Sequence, residues 1–117
     1  MFPANARCSV EVRGGMTIVA IGGRLDAHVA PGIRDELSSV GEEPEEIVFD
    51  LAKLEWIDST GIGVLLSIYR RCRRAGGGVK VAGLARQPRE IFRLLRLDAV
   101  MELVDSVEAA ASPAAGY

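Results

Sequence analysis

Ile47-Val48-Phe49-Asp50-Leu51, followed a few residues later by Trp56-Ile57-Asp58-Ser59-Thr60-Gly61-Ile62-Gly63-Val64-Leu65-Leu66, sets the architecture of this chain. The first run is short and almost wholly apolar, the pattern of an interior strand covered on both faces of a mainly parallel sheet. From Ser59 onward the period changes. Ile62, Leu65, Leu66, Tyr69 and Cys72 recur at helical spacing, while Arg70, Arg71, Arg73 and Arg74 lie mostly off that face. Gly76-Gly77-Gly78 stops the helix. A buried strand feeding a long amphipathic helix is half of a crossover unit, and such units build parallel sheets.

Working outward, Cys8, Val10 and Val12 alternate with Ser9, Glu11 and Arg13, the period of a half-buried strand. Gly14-Gly15 reads as a tight hairpin turn, and Met16 to Ile21 as the antiparallel return strand. Gly22-Gly23-Arg24-Leu25-Asp26 is expected to break it. A helix then places Val29, Ile33, Leu37 and Val40 on one face, with Pro31 in its first turn and Gly41 at its end. Glu42 to Glu46 form an acidic loop, and Lys53 to Ile57 connect the interior strand to the long helix.

Toward the C-terminus, Val79 to Ala82 reads as a strand. Pro88 opens a helix with Ile91, Leu94 and Leu95 inward and Arg89, Arg93 and Arg96 outward. Met101 to Val104 is a further strand, Ser106 to Ala111 a last helical turn or two, and 112–117 a tail. The order is β-β-α-β-α-β-α-β-α. It predicts an α/β fold: a mixed, mainly parallel β-sheet with an N-terminal antiparallel hairpin and about four helices packed on it. Length favours one domain over 1–117, with a core at about 6–111.

Composition narrows the function. Hydrophobic residues make up 49% and charged residues 26% of the 117, as in ordinary globular domains. The net charge of −2 does not suit a polyanion binder. Residues 1–58 hold eleven acids and five bases, and 59–117 five acids and nine bases, so an acidic and a basic face are expected. No run of about 18 apolar residues exists to enter a membrane, and the N-terminus lacks the layout of a signal peptide, so a cytoplasmic location is expected. Cys8 and Cys72 are expected to be reduced core thiols.

Asp58-Ser59-Thr60-Gly61 is the most informative segment for function. Asp58 suits an N-cap whose carboxylate accepts the N–H of residue 60 or 61. Ser59 falls in or beside the first turn, where unpaired N–H groups and a partial positive charge gather. On this chemistry alone, Asp58 and Ser59 can be simple caps, with Gly61 and Gly63 letting the helix approach a strand. Trp56, just before this segment, either packs inward, the slightly favoured reading, or stands partly exposed as a partner contact.

A nucleophile at Ser59 would need a base, and His28 is the one histidine. The Gly-x-Ser-x-Gly elbow is missing, and Gly76-Gly77-Gly78 follows a helix instead of preceding one, unlike a phosphate loop. Cys8, Cys72 and His28 do not compose a zinc ligand set. Neither enzymatic activity nor a cofactor or metal is expected. The arginine clusters lack the interleaved aromatics of nucleic-acid binders.

Trp56 to Leu66 resembles the signature of the STAS family of anti-sigma-factor antagonists, in which an aspartate precedes the phosphorylatable serine, then Ser or Thr, Gly, an aliphatic residue and Gly. Gly22-Gly23-Arg24-Leu25-Asp26 is similar to that family's Gly-x-Leu-Asp segment, and the resemblance runs over about residues 10 to 108. It implies a partner-switching protein that binds an anti-sigma factor serine kinase when unphosphorylated and frees a sigma factor. Ser59 is then the phosphorylation site, with Thr60 a weaker candidate. Asp26, Asp58, Thr60 and Gly61 would contact the partner, a serine phosphatase would reset the switch, and the kinase would carry ATP and Mg²⁺. Arg24 departs from the family, where an acid or polar residue is common, and this reversal bears on partner choice. The alternative is a STAS scaffold or adaptor in a signalling or lipid-transport complex without a sigma factor. Both readings exclude direct nucleic-acid binding and membrane insertion.

Overall fold

The hairpin comes first because its turn requires it. Gly14 and Gly15 hold φ of 60° and 83°, a left-handed pair that only glycine adopts without strain. The computed structural model describes residues 6–111, and the tail expected at 112–117 lies outside the described residues. Strand β1 (Ala6–Arg13) runs into the turn and β2 (Met16–Leu25) returns from it, with Ala6 opposite Gly23 and Arg13 opposite Met16. Then follow α1 (Ala30–Glu36), β3 (Glu46–Asp50), β4 (Leu54–Ile57), α2 (Ser59–Arg74), β5 (Gly78–Ala82), α3 (Arg86–Leu94), a 3-10 turn at Leu97–Ala99, β6 (Glu102–Val104) and α4 (Val107–Ala111).

The sheet has the order β1-β2-β3-β5-β6, antiparallel only at β1–β2 and parallel elsewhere, with β4 added beside β2. The predicted α/β class with its front hairpin is what the chain adopts. One face is covered by α1, α2 and α3. There Val19, Ile21, Leu25, Phe49, Leu65 and Phe92 form the main core. On the other face α4 sets Val107 and Ala110 against Ile18, Val48 and Ala82. Among the described residues no helix is long and apolar enough to cross a membrane.

Several expectations need correction. The Gly22-Gly23-Arg24-Leu25 segment does not break the second strand: β2 runs through it to Leu25. Its neighbour changes instead, from β3 up to Ala20 to β4 from Gly23. Glycine at 22 lets the Lys53 segment come close, since a Cβ there would lie 3.2 Å from Lys53 Cβ and the neighbour would have to give way. The Lys53–Ile57 connection accordingly contains a strand of its own, β4. Its Leu54 and Ile57 are buried while Glu55 and Trp56 are exposed, a spacing of three that hides the strand from an alternation test.

The first helix closes at Glu36, and 37–41 continues as turns. Leu37 and Val40 stay buried without helical backbone, so the apolar spacing reported burial correctly and helix length wrongly. The third helix opens at Arg86, two residues before Pro88, which occupies an early position where a missing N–H is tolerated. Leu94 and Leu95 do not point inward; they are 72% and 52% exposed, and Phe92 and Ile91 do the packing. Val10 and Val12 are likewise 47% and 76% exposed, because β1 is the edge strand and the helices do not reach over it.

Candidate functional site

Strand β4 delivers the chain to Asp58 in an extended conformation, φ −114° and ψ −174°, and α2 starts at the next residue. Asp58 Oδ1 accepts the Gly61 N–H at 3.0 Å, so the expected cap forms and selects residue 61. Ser59 and Thr60 occupy the first two helical positions and both are exposed. The first turn of this 16-residue helix has no acidic residue within it, leaving its positive end uncompensated beyond the cap.

The upstream motif is brought to the same place. Asp26 Oδ1 accepts the N–H groups of His28 and Val29 at 3.0 and 3.3 Å, turning the chain from β2 into α1. The Asp58 N–H donates to the Leu25 carbonyl at 3.3 Å, and Asp58 Oδ2 accepts the Ala27 N–H at 3.0 Å. Both carboxylate oxygens of Asp58 are therefore engaged, one in its own helix and one in the loop of Asp26. His28 is exposed in that loop, and among the described residues no hydrogen bond joins it to Ser59.

Gly61 is the contact point between helix and sheet. A Cβ there would lie 2.5 Å from the Leu25 carbonyl oxygen and 2.8 Å from Ile57 Cγ1. Gly63 does not share this role, contrary to expectation: a Cβ there meets nothing within 4 Å. The glycine spacing places 61 against the sheet and 63 on the flank of the helix.

Two features of the site were not read from sequence. The Gln87 side chain accepts the Ile57 N–H through Oε1 and donates Nε2–H to the Ile57 carbonyl, each at 2.8 Å. It thus plays the part of a further strand along the free side of β4, just before Asp58. Nothing local marks this glutamine, since its partner lies 30 residues away. The second is the setting of Arg24, a residue already singled out in the sequence: its guanidinium sits 4.9 Å from the centroid of the Trp56 ring, with Nε 4.0 Å from Asp26 Oδ2. The β2–β4 register sets Arg24 opposite Trp56. Trp56 is 38% exposed, so of the two readings the slightly favoured inward packing is overturned and partial exposure holds.

Ser59, Thr60, Trp56 and Arg24 thus stand on open surface around the end of β4 and the start of α2. A cleft of about 670 Å³ lies elsewhere, between β1, β2 and the β3–β4 connection, lined by Ser9, Gly22, Asp50 and Lys53 but neither Asp58 nor Ser59. Cys72 is buried in α2, and Cys8 is half-buried with its thiol donating to Glu36 Oε2 at 3.1 Å. Burial, then the hydrogen bond to Glu36, then its charge push the Cys8 thiol up to about 12.

The family model described as STAS domain matches residues 7–110. The chain belongs to the STAS-domain family. This STAS domain is 29% identical over 98 residues to the anti-sigma-B factor antagonist of Bacillus subtilis (strain 168), covering 84% of each chain. Its fold matches the crystal structure of an anti-sigma factor antagonist from Mycobacterium paratuberculosis with a TM-score of 0.82, 24% identity and 93% coverage of both chains. It also matches the Bacillus cell fate determinant SpoIIAA in the phosphorylated form, with a TM-score of 0.67 and 22% identity over 89% of this chain and 96% of that one. At these identities the two structures speak for the fold. The STAS assignment is carried by the family match.

Proposed function

We propose that this STAS domain is an anti-sigma factor antagonist, and that phosphorylation of Ser59 is its switch. Unphosphorylated, it binds an anti-sigma factor serine kinase and so frees a sigma factor; the kinase phosphorylates Ser59 and the complex parts; a serine phosphatase restores the hydroxyl. ATP and Mg²⁺ belong to the kinase, and this chain needs no cofactor. The setting is the cytoplasm, with no direct contact to nucleic acid or membrane.

The observation that carries the reading is the exposed Ser59 at the first position of a 16-residue helix, beside an aspartate whose two oxygens are already committed within the fold. A phosphate there adds about −1.5 to −2 charges at the positive end of a helix. The fold tolerates that charge, so its effect falls on whatever docks over Ser59, Thr60 and Asp26; Gly61, expected among the partner contacts, is buried against the sheet and supports that surface from beneath. The name of the Bacillus subtilis relative, an anti-sigma-B factor antagonist, supports an anti-sigma factor as the partner.

The test compares wild type, Ser59→Ala and Ser59→Glu, each verified as folded by circular dichroism, as baits for candidate kinases. A serine kinase that binds wild type and Ser59→Ala, labels Ser59 in wild type and is lost from Ser59→Glu supports the switch. If the same partners hold all three baits, or none is a kinase, Ser59 is only an exposed residue of the first helical turn and the domain is a scaffold of a signalling or lipid-transport complex.

A further inference from the structure

The charged groups around Ser59 are not alike in what the fold asks of them. Asp58 gives both carboxylate oxygens to backbone N–H groups, and Asp26 Oδ1 accepts two more. Glu55, the exposed acid of β4, lines the cleft with Lys53. Arg24 has no such employment. Its Nε stands 4.0 Å from Asp26 Oδ2, beyond hydrogen-bond length. Among the described residues no oxygen accepts a hydrogen bond from its guanidinium.

Arg24 is nevertheless held in place. Its guanidinium carbon lies 4.9 Å from the centroid of the Trp56 ring, and the β2–β4 register fixes the two residues opposite each other. The Arg24 side chain is 51% exposed, so a cation is kept against a rigid ring with its donors open to water. A free arginine loses much rotamer freedom when it binds, and contact with Trp56 removes part of that cost beforehand. Trp and Arg are also among the residue types that dominate the centres of protein interfaces.

A guanidinium with free donors is matched by a planar anion, since one carboxylate accepts two parallel N–H bonds from it. A cation brought to the same place is repelled. The Ser59 phosphate does not fill this role before docking: it arrives only afterwards, and the positive end of α2 is its counter-charge.

We infer that Arg24, held by Trp56, selects the partner: the anti-sigma factor serine kinase presents an aspartate or glutamate to the Arg24 guanidinium as it docks over Ser59. This rests on the proposed function and adds the charge that the partner must carry.

The probe is the kinase that labels Ser59 in wild type. Its affinity for the unphosphorylated domain is measured by calorimetric titration, each variant first verified as folded by circular dichroism. Arg24→Lys weakens binding about tenfold, because an ammonium keeps the charge and loses the planar fork. Arg24→Ala weakens it about thirtyfold and Arg24→Glu about a hundredfold. Trp56→Ala, which frees the arginine, costs about tenfold. Lys53→Glu makes the same charge change in the cleft and shifts affinity by about twofold or less. Exchanging one surface acid of the kinase for arginine restores the binding of Arg24→Glu.

If no kinase labels Ser59, the proposed function falls and this inference with it. If a kinase labels Ser59 but binds Arg24→Glu as tightly as wild type, loses as much with Lys53→Glu, or is rescued by no acid-to-arginine exchange, the inference alone is overturned. It is overturned too if Arg24→Ala binds normally and instead raises the second pKa of the Ser59 phosphate in phosphorus NMR, since the guanidinium then serves the phosphate within its own chain.

Discussion

Asp58 and Ala27, 31 residues apart in the chain, are joined by a 3.0 Å hydrogen bond from the Ala27 N–H to Asp58 Oδ2, while Asp58 Oδ1 caps its own helix at Gly61. One carboxylate thereby holds the end of β2 to the start of α2. Asp58→Ala removes the cap and leaves the Ala27 N–H without its acceptor, for a loss of about 1–3 kcal/mol. Asp58→Asn keeps one acceptor but turns a donor toward one of the two N–H groups. Urea unfolding is expected to rank wild type above Asn above Ala, and equal midpoints for Asn and wild type would refute the double bond.

The glycines of the same motif should respond in opposite directions. Gly61→Ala forces a methyl to within 2.5 Å of a backbone carbonyl of β2 and costs about 3 kcal/mol. Gly63→Ala enters open space inside a helix and stabilises by about 0.5–1 kcal/mol. Thermal melts of the two variants decide this directly, and equal losses would sink the assignment of 61 as the contact point.

Gln87 is predicted to matter for the strand that presents Asp58. Gln87→Ala leaves both backbone groups of Ile57 without their partner, destabilising by about 1–3 kcal/mol. The local signature is faster hydrogen exchange at the Ile57 amide. A variant that loses stability while that amide stays protected would place the role of Gln87 elsewhere.

Cys8 offers a pH test. Its folded value of about 12 lies above the ordinary 9.0, so folding favours the protonated thiol. The contribution is fully present below pH 9 and is lost as pH rises through about 12. Glu36→Gln removes the bonded charge and keeps the burial, so the thiol moves part of the way back. Iodoacetamide at pH 8.5 should modify Cys8 slowly in wild type and faster in Glu36→Gln. Equal rates would show that Glu36 does not govern the thiol.

The apolar run at Ile47–Leu51, the Gly14-Gly15 turn and the helical spacing after Ser59 determined the α/β class, the front hairpin and the cap at Asp58, because each rests on neighbours within a turn or a strand. Leu37 and Val40 were legible as buried but not as non-helical, since burial depends on spacing and helix length on the backbone bonds that follow. Strand β4, the continuation of β2 through Gly22-Gly23 and the exposure of Val10, Val12, Leu94 and Leu95 were decided only by tertiary structure. A strand pairs with whatever the fold sets beside it, and an apolar side chain is buried only where another layer reaches it. The bonds from Asp58 to Ala27 and from Gln87 to Ile57 belong to the same class, because hydrogen bonds across 30 residues leave no period in the sequence.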